Sequence, residues 1–215
     1  MIAVIDTERN EPLTTGYELR LSGWTEERYW AEAPDDKVWE FVDGEVVVPS
    51  PVDIAHQWTT GFLTSLIREF CEVRRMGMVC NGPGAVSLRA GLVREPDIFV
   101  LSPADAARAR GSKIEACPLL VIEVTDTDSE RRDLVEKPAE YAARGIPDYW
   151  SVHLRKHHIT VFRPGAPGRI HAVQSAGRLD STGLPDFWID VSWLWQDPLP
   201  GSLDCLKQIL GVTSL

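Results

Sequence analysis

The feature that most constrains the fold is an apolar segment at residues 118–125, PLLVIEVT, with one glutamate near its centre. A short apolar run rich in β-branched residues is typical of a strand that is covered on both faces. Burying an unpaired carboxylate is costly or forces its protonation. Glu123 therefore needs a compensating partner, unless the alternation of side chains places it on a solvated face. Leu119, Val121 and Ile122 leave little room for such a face.

A second acid occupies a similar position in the segment LVREPDIFVL, residues 92–101. Asp97 follows Pro96, so the segment is either an interior strand with a buried carboxylate or an edge strand with an exposed one, because edges tolerate proline. Two strands that each carry one acid favour the first alternative. Side by side, Asp97 and Glu123 would share one Mg²⁺, which prefers oxygen ligands and keeps several waters.

The rest of the chain predicts an α/β fold in which helices pack on a sheet. Residues 38–49, VWEFVDGEVVVP, predict a β-hairpin, because Asp43 and Gly44 suit a type I′ turn. Apolar side chains at helical spacing predict a long helix over residues 55–75. Its expected apolar face comprises Trp58, Phe62, Leu63, Leu66, Ile67, Phe70 and Val73.

Shorter elements are predicted from caps, breakers and apolar runs. Ser22 or Thr25 would cap a short helix that ends at Pro34, and Gly145 would end a helix over about 130–144. Further helices are expected at 103–110 and 202–210, and strands at 78–81, 85–89, 94–101, 148–154, 158–163 and near 169–174.

Length and composition limit the class of protein. The 215 residues suit an irregular segment at 1–20, a single domain at 21–200 and a helical segment at 201–215. The sequence shows neither an 18-residue apolar run nor a secretory signal, and its four cysteines form no CxxC pair, which predicts reduced thiols in a cytoplasmic protein. The net charge of −10 disfavours loose binding to nucleic acid.

Further side chains are candidates to complete a site around the two acids. Lys137 lies on the helix returning from the Glu123 strand, where an ammonium would orient a water or stabilise a pentavalent phosphate, although a lone lysine there is more often solvated. Glu40 is either a third carboxylate or the outward face of the hairpin. His56 is either a ligand or a capping residue, and Tyr141 either faces the site with Lys137 or packs in the core.

These residues occur in an order that resembles a known family. The succession WEFVDGEVV, His56 opening a helix, EPDIFV, LLVIEVT and RRDLVEKPAEYAARGIPDYW is similar to the Uma type of bacterial endonucleases, long labelled a domain of unknown function. That family belongs to the PD-(D/E)xK superfamily, and the resemblance covers roughly residues 20–195. It implies a restriction-endonuclease-like core, with a mixed four- to five-stranded sheet flanked by helices. It also implies hydrolysis of nucleic-acid phosphodiesters, DNA foremost, with Asp97 and Glu123 binding Mg²⁺ or Mn²⁺.

The resemblance also assigns roles to other residues. In the parent motif a lysine lies two residues after the second acid, where this chain has Thr125, and the resemblance implies that Lys137 replaces it. Glu40 matches the upstream acid of the family, and Asp133 and Tyr141 match its helix. Candidate phosphate contacts are Arg131, Arg132, Arg155 and Lys156, and the carbonyl of Val124 is a further candidate metal ligand.

The chain departs from the family pattern at three places. Asp126 and Asp128 follow the glutamate strand and would repel phosphate unless a second metal is held there. Pro138 cannot donate a helical hydrogen bond, so the helix kinks, or restarts with Pro138 at its first position, and either change re-aims Lys137. SVHLRKHH replaces the usual valine-aspartate strand end.

A second hypothesis is a catalytically inactive homologue that acts in binding or assembly. The acidic charge and the crowded aspartates favour it. The tryptophans near the C-terminus either offer apolar surface to a partner or fill the core. The sequence leaves the oligomeric state open, with a homodimer as one prediction. The tryptophans concerned are Trp150, Trp188, Trp193 and Trp195.

Overall fold

The apolar segment around Glu123 forms β11 (Leu120–Thr125), in which every residue is buried. β11 lies between β9 (Ile98–Leu101), which is antiparallel to it, and β12 (Tyr149–His153), which is parallel to it. The sheet has six strands in the order β14–β13–β12–β11–β9–β6, completed by β6 (Met78–Asn81), β13 (His158–Phe162) and β14 (Ile170–Gln174). The structure is a computed structural model that describes residues 5–6, 11–12, 17–109, 111, 113–125, 131–164 and 169–214.

A second six-stranded sheet contains the predicted hairpin. Asp43 and Gly44 both have positive φ, 45° and 96°, which confirms the primed turn. Residues 18–20 were expected in an irregular segment but belong to a strand that pairs with the hairpin. The order is β10–β7–β8–β4–β5–β3, with β3 (Glu18–Ser22), β4 (Glu40–Val42), β5 (Glu45–Pro49), β7 (Ala85–Arg89), β8 (Leu92–Arg94) and β10 (Lys113–Ile114). Two small pairs join β1 (Ile5–Asp6) to β2 (Glu11–Pro12) and β15 (Arg178–Asp180) to β16 (Trp188–Asp190).

The predicted strand at 94–101 is wrong in one respect, because it is divided between the two sheets. β8 ends at Arg94 and β9 begins at Ile98, with Pro96 between them. Proline has no N–H for a ladder, so the chain leaves one sheet here and enters the other. Asp97 therefore stands directly before β9 rather than near a strand centre. The edge-strand alternative is also wrong, since β9 pairs on both sides.

The helices occur where the sequence places them, and their caps explain their bounds. Thr25, not Ser22, caps α1 (Glu26–Glu32), and its Oγ1 accepts from the Arg28 amide at 3.2 Å. The buried stripe of α2 (Ile54–Arg74) begins with His56 and Thr59, so Trp58 points outward with 63% exposure. Val73, in the last turn, is 53% exposed, so both residues were wrongly assigned to the buried face. The shorter helices are α3 (Pro103–Arg108), α4 (Lys137–Arg144) and α5 (Ser202–Leu210).

Pro138 shapes the start of α4. A π-helical segment, Arg132–Glu136, precedes α4, and the Lys137 amide donates to the carbonyl of Arg132, five residues back. Pro138 has no backbone N–H to donate, and the wider π-helical turn before it accommodates the loss of that hydrogen bond. Pro138 itself lies in the first turn of α4. The helix ends at Gly145 with φ of 90°, as predicted.

The main core lies where α2 and α5 pack on the sheet around β11. Trp150 and Trp193 are buried in it, and Trp188 and Trp195 pack partly buried against it, so these tryptophans fill the core rather than forming an exposed partner surface. All four cysteines are free thiols, as expected. Among the described residues, no helix has the length and apolarity needed to cross a membrane.

Candidate active site

The two acids singled out in the sequence meet where β9 begins beside β11. The antiparallel ladder ends at the pair Ile98–Ile122, so Asp97 and Glu123 follow next on the two strands. The Val124 amide donates to Asp97 Oδ2 at 2.7 Å, which fixes the aspartate against the end of β11. Glu123 is only 5% exposed, so the solvated alternative for it is wrong.

Lys137 reaches this pair of acids from α4. Its Nζ lies 2.7 Å from Glu123 Oε1, 3.2 Å from Glu40 Oε1 and 3.5 Å from Asp133 Oδ1. The lysine is 2% exposed, so it is not a solvated helix residue. The π-helical segment has not turned it away from the strand. One ammonium thus contacts three carboxylates, which come from the hairpin, from β11 and from the π-helical segment before α4.

Tyr141 and Glu40 are also buried in the site. The Tyr141 hydroxyl donates to Glu123 Oε1 at 2.9 Å, so this residue both packs in the core and faces the acid. Glu40 is 2% exposed, which excludes the outward face of the hairpin. It accepts from Arg94 Nη1 at 2.8 Å, and Arg94 is itself 1% exposed and forms two further bonds to Glu140.

His56 holds the second acid from the side of α2. Its backbone amide donates to the capping side chain of Asp53 at 2.8 Å, while its ring Nε2 lies 3.1 Å from Asp97 Oδ2. Burial would lower the pKa of His56, but the hydrogen bond and charge of Asp97 raise it overall. His56 is therefore a hydrogen-bond partner of Asp97, and Asp97 lies between it and Glu123.

The charges of the cluster shift the pKa values of its members. Burial raises the pKa of Glu123 to about 7; Lys137 opposes this rise, while Asp97 and the other neighbouring carboxylates add to it. Burial would lower the pKa of Lys137, but the three carboxylates around it raise it above its ordinary value, so it stays an ammonium. For Glu40, burial alone would raise the pKa. The positive charges of Lys137, Arg94 and Arg132 outweigh burial and hold the pKa of Glu40 well below its usual range.

The residues around Asp97 fit a hard divalent cation. Asp97 and Glu123 follow each other at the end of the ladder and would be two carboxylate ligands of such an ion. Among the described residues, no cluster of three His, Cys, Asp or Glu side chains is placed to hold one ion. Mg²⁺ commonly takes one or two carboxylates and keeps its remaining ligands as water or substrate oxygens. Ser151, which pairs with Glu123 across β11 and β12, has a buried hydroxyl with no hydrogen-bond partner in the described part of the chain. Such an unpaired oxygen beside the acids suits a hydrated cation.

The candidate phosphate contacts are not equivalent. Arg131 is exposed and lies 3.4 Å from Glu136. Arg132 is mostly buried and pairs with Glu18 at 2.7 Å and with Asp133 at 3.5 Å, so a phosphate would compete with these carboxylates for its guanidinium. The other two, Arg155 and Lys156, lie exposed in the turn between β12 and β13, and Asp126 and Asp128 lie outside the described residues.

Sequence reasoning missed Arg94 and Glu95. Both are buried beside the site. The sequence carried a signal for them, because burying a charged side chain in the apolar segment LVREPDIFV is costly, as it is for Glu123. Burial raises the pKa of Glu95 to about 7. Ser151 gave no signal, because serine is unremarkable in a strand.

Comparison with known proteins identifies the class and then the family. A crystal structure described as that of a putative nuclease belonging to DUF820, from Anabaena variabilis, superposes with a TM-score of 0.69 at 14% identity, covering 80% of this chain and 97% of that one. At this identity the likeness shows the fold, which is restriction-endonuclease-like, as predicted. The family model Uma2, described as "Putative restriction endonuclease", matches residues 25–192, more than half of the chain, and the chain therefore belongs to this family. No curated protein matches it.

Proposed function

We propose that this protein is a metal-dependent endonuclease that hydrolyses phosphodiester bonds of DNA. The observation that carries the proposal is the contact between Lys137 Nζ and Glu123 Oε1 at 2.7 Å, beside Asp97. The acid pair and the lysine are the elements of the PD-(D/E)xK site, although the lysine comes from a helix instead of from position 125. Membership of the family supports the nuclease class.

Asp97 and Glu123 would hold Mg²⁺ or Mn²⁺ together with the carbonyl of Val124. A bound ion of this kind polarises a phosphate and acidifies a water. His56 and the Val124 amide keep Asp97 in place, so that its orientation does not depend on the ion. Tyr141 holds Glu123 in the same manner.

Lys137 would position the attacking water and stabilise the charge that develops on the phosphate. Its ammonium stays protonated because Glu40, Glu123 and Asp133 surround it. Arg131 is the remaining exposed candidate on the same helical segment for a phosphate of the substrate strand. Such contacts position the nucleic acid without reading its sequence.

The test is cleavage of supercoiled plasmid, single-stranded DNA and RNA in Mg²⁺ or Mn²⁺, with EDTA as the blank. We expect Asp97→Asn, Glu123→Gln and Lys137→Ala to lose at least about 100-fold in rate, the scale typical of a removed transition-state contact. Glu27→Gln, on the exposed face of α1, and Lys207→Ala, whose half-buried side chain pairs with Asp204 on α5, serve as matched controls with full activity. Equal cleavage by the wild type and the site variants would show contamination and refute the proposal.

Calorimetry with Mn²⁺ separates catalysis from a purely binding role. The proposal predicts binding that Asp97→Asn removes. Absence of binding by the folded wild type, or binding that Asp97→Asn does not change, would favour the inactive homologue. The burial of Trp150 and Trp193 has already removed one of the sequence arguments for that alternative.

A further inference from the structure

Helices α2 and α5 form one layer on the sheet around β11, and the outer surface of this α2–α5 layer is rich in exposed apolar side chains. Ten large apolar side chains are exposed among the described residues, and six of them lie on these two helices or within two residues of their ends. Apolar side chains that gather on one surface mark an interaction site, whereas single scattered ones do not. The six are Val52, Ile54, Trp58, Val73, Leu203 and Val212.

An outward-facing stripe runs along α2 at helical spacing. Ile54, Trp58, Gly61, Ser65 and Arg68 recur every three or four residues and therefore share one face of the helix. The buried residues of α2 lie on the opposite face, against the core. Ile54 and Trp58 are 62% and 63% exposed, so neither of them fills the core of this chain. Tryptophan is enriched among the residues that dominate the binding energy of protein interfaces.

Gly61 makes a flat place in the middle of this stripe. A Cβ at Gly61 would meet no atom within 4 Å, so no contact in the described part of the chain requires a glycine there. Glycine in a helix interior costs roughly 1 kcal/mol relative to alanine. A glycine at such a position fits the close approach of a second helix, because the distance between two helix axes is set by the side chains at their contact.

The charges of the layer favour a second copy of this chain over a nucleic acid. From Asp53 to Arg75 and along α5 there are four acidic and four basic residues, so the layer is neutral although the whole chain carries −10. A neutral surface avoids the repulsion between two acidic molecules, and it offers no net attraction to phosphates. The signs are also separated along α2, with Asp53 at its start and Arg74 and Arg75 at its end. Two antiparallel copies of α2 therefore bring opposite charges together at both ends.

The stripe is complementary to itself when two α2 helices lie antiparallel. A two-fold axis at the level of Leu63 makes each contact twice, and it places residues equally far before and after Leu63 opposite each other. Trp58 then faces the partner's Arg68 as a cation–π pair, and Gly61 faces the partner's Ser65. The 21 residues of α2 span about 31 Å, and α5 beside it widens the face to about 20 Å. A face of this size approaches the roughly 800 Å² per partner of a standard interface.

We propose that the protein is a homodimer in which the α2–α5 layers of two copies pack face to face, with α2 antiparallel to its counterpart. The inference does not rest on the proposed function. The α2 side chains pack with Ile122 on one face of the sheet, whereas Tyr141 of α4 packs with Val121 on the other face. Lys137 and its carboxylates therefore stay outside the interface in both copies.

The decisive variant is Gly61→Gln. Because a Cβ at Gly61 meets nothing and glutamine is a better helix former, the single chain should fold at least as well as the wild type. Ala104→Gln, at an exposed position of α3, is the matched control. Trp58→Ala removes the proposed anchor of the interface. Its control is Val173→Ala on the outermost strand β14, where the valine is 55% exposed.

Sedimentation equilibrium over a wide range of protein concentration measures the association. The wild type, Ala104→Gln and Val173→Ala should have twice the chain mass of 24.0 kDa. Gly61→Gln and Trp58→Ala should each raise the dissociation constant of the dimer at least about 100-fold, equivalent to 2.8 kcal/mol, with unchanged circular dichroism. A monomeric wild type, or a Gly61→Gln protein that dimerises as tightly as the wild type, overturns the inference. Loss of the dimer in Val173→Ala alone would assign the interface to β14 and would overturn it as well.

An exchange of the two facing side chains tests the antiparallel arrangement. Trp58→Arg alone should prevent dimerisation, because it places two arginines opposite each other. Adding Arg68→Trp to this variant recreates the cation–π pair with its members exchanged between the two copies. The double variant should therefore dimerise at least about tenfold more tightly than Trp58→Arg, equivalent to 1.4 kcal/mol. Equal dissociation constants of the single and the double variant would refute the pairing of α2 with its counterpart.

Discussion

At the scale of single residues, the cluster depends on a balance between buried charges. Lys137 and Arg94 lie against Glu40, and the Glu123 carboxylate shares the lysine. Each of these groups would be costly in isolation, and breaking a buried pair leaves an uncompensated charge. The glutamate of the hairpin is thus a structural support for the lysine that we propose as the water-positioning group.

Glu40→Gln should lower the free energy of unfolding by roughly 3–5 kcal/mol at neutral pH, as for other broken buried pairs. The folded-state pKa of Glu40 lies below its ordinary value of 4.5, so its stabilisation is complete above that pH and is lost as the pH falls below it. Urea unfolding at pH 7 and in steps below pH 4.5 should therefore show the two proteins converging.

The control is Glu32→Gln, which breaks an exposed pair with Arg28 on α1. It should cost below about 1 kcal/mol. A constant difference between wild type and Glu40→Gln across the whole pH range would contradict the stated role of the carboxylate.

At the scale of secondary-structure elements, the site depends on where strands and helices begin. Pro96 separates β8 from β9, so that Asp97 stands at the start of a strand. Pro138 is accommodated by the π-helical segment, after which α4 carries Lys137 in its first turn. Two prolines thus determine how an acid and the lysine approach Glu123.

Pro138→Ala restores an amide that can make a regular helical bond, so the π-helical segment should tighten toward an α-helix. Lys137 would then rotate away from Glu123, and a displacement of about 1 Å can cost on the order of 100-fold in rate. We expect a large loss of cleavage with an unchanged or higher melting temperature. Pro103→Ala, at the start of α3, makes the same chemical change far from the acids and should leave the rate unaltered. Full activity of Pro138→Ala would show that the π-helical segment does not aim the lysine.

At the scale of the whole molecule, the net charge of −10 opposes approach to DNA. The two buried arginines of the cluster, Arg94 and Arg132, already face carboxylates and add little to the attraction of DNA phosphates. A bound divalent cation would reverse the sign only locally. Binding to DNA should therefore depend on metal more than on surface charge.

Fluorescence anisotropy with duplex DNA tests this dependence. In EDTA we expect weak binding. Ca²⁺ serves as a hard, oxygen-binding cation for an assay that measures binding alone. In Ca²⁺ we expect the affinity for DNA to be at least about tenfold higher, which is equivalent to 1.4 kcal/mol. Asp97→Asn should abolish the gain, and Asp43→Asn, on the exposed hairpin turn, should retain it. Equal affinity in EDTA and Ca²⁺ would mean that surface contacts alone hold the DNA.

The local parts of the fold followed from the sequence alone. The hairpin at Asp43-Gly44, the cap at Thr25 and the helix end at Gly145 obey rules that act over a few residues, and the structure contains each of them. The acid in PLLVIEVT was also recognisable, because apolar neighbours make a carboxylate conspicuous. The order in which the motifs follow one another along the chain was enough to predict the fold class, because that order resembles a known family.

Only the tertiary structure decided how the parts meet. The division of residues 94–101 between two sheets, the contact of Lys137 with Glu123 and the burial of Arg94 against Glu40 depend on strand pairing between distant segments. Local rules carry no information on such pairings, because their stabilisation comes from contacts that exist only after the sheets have formed.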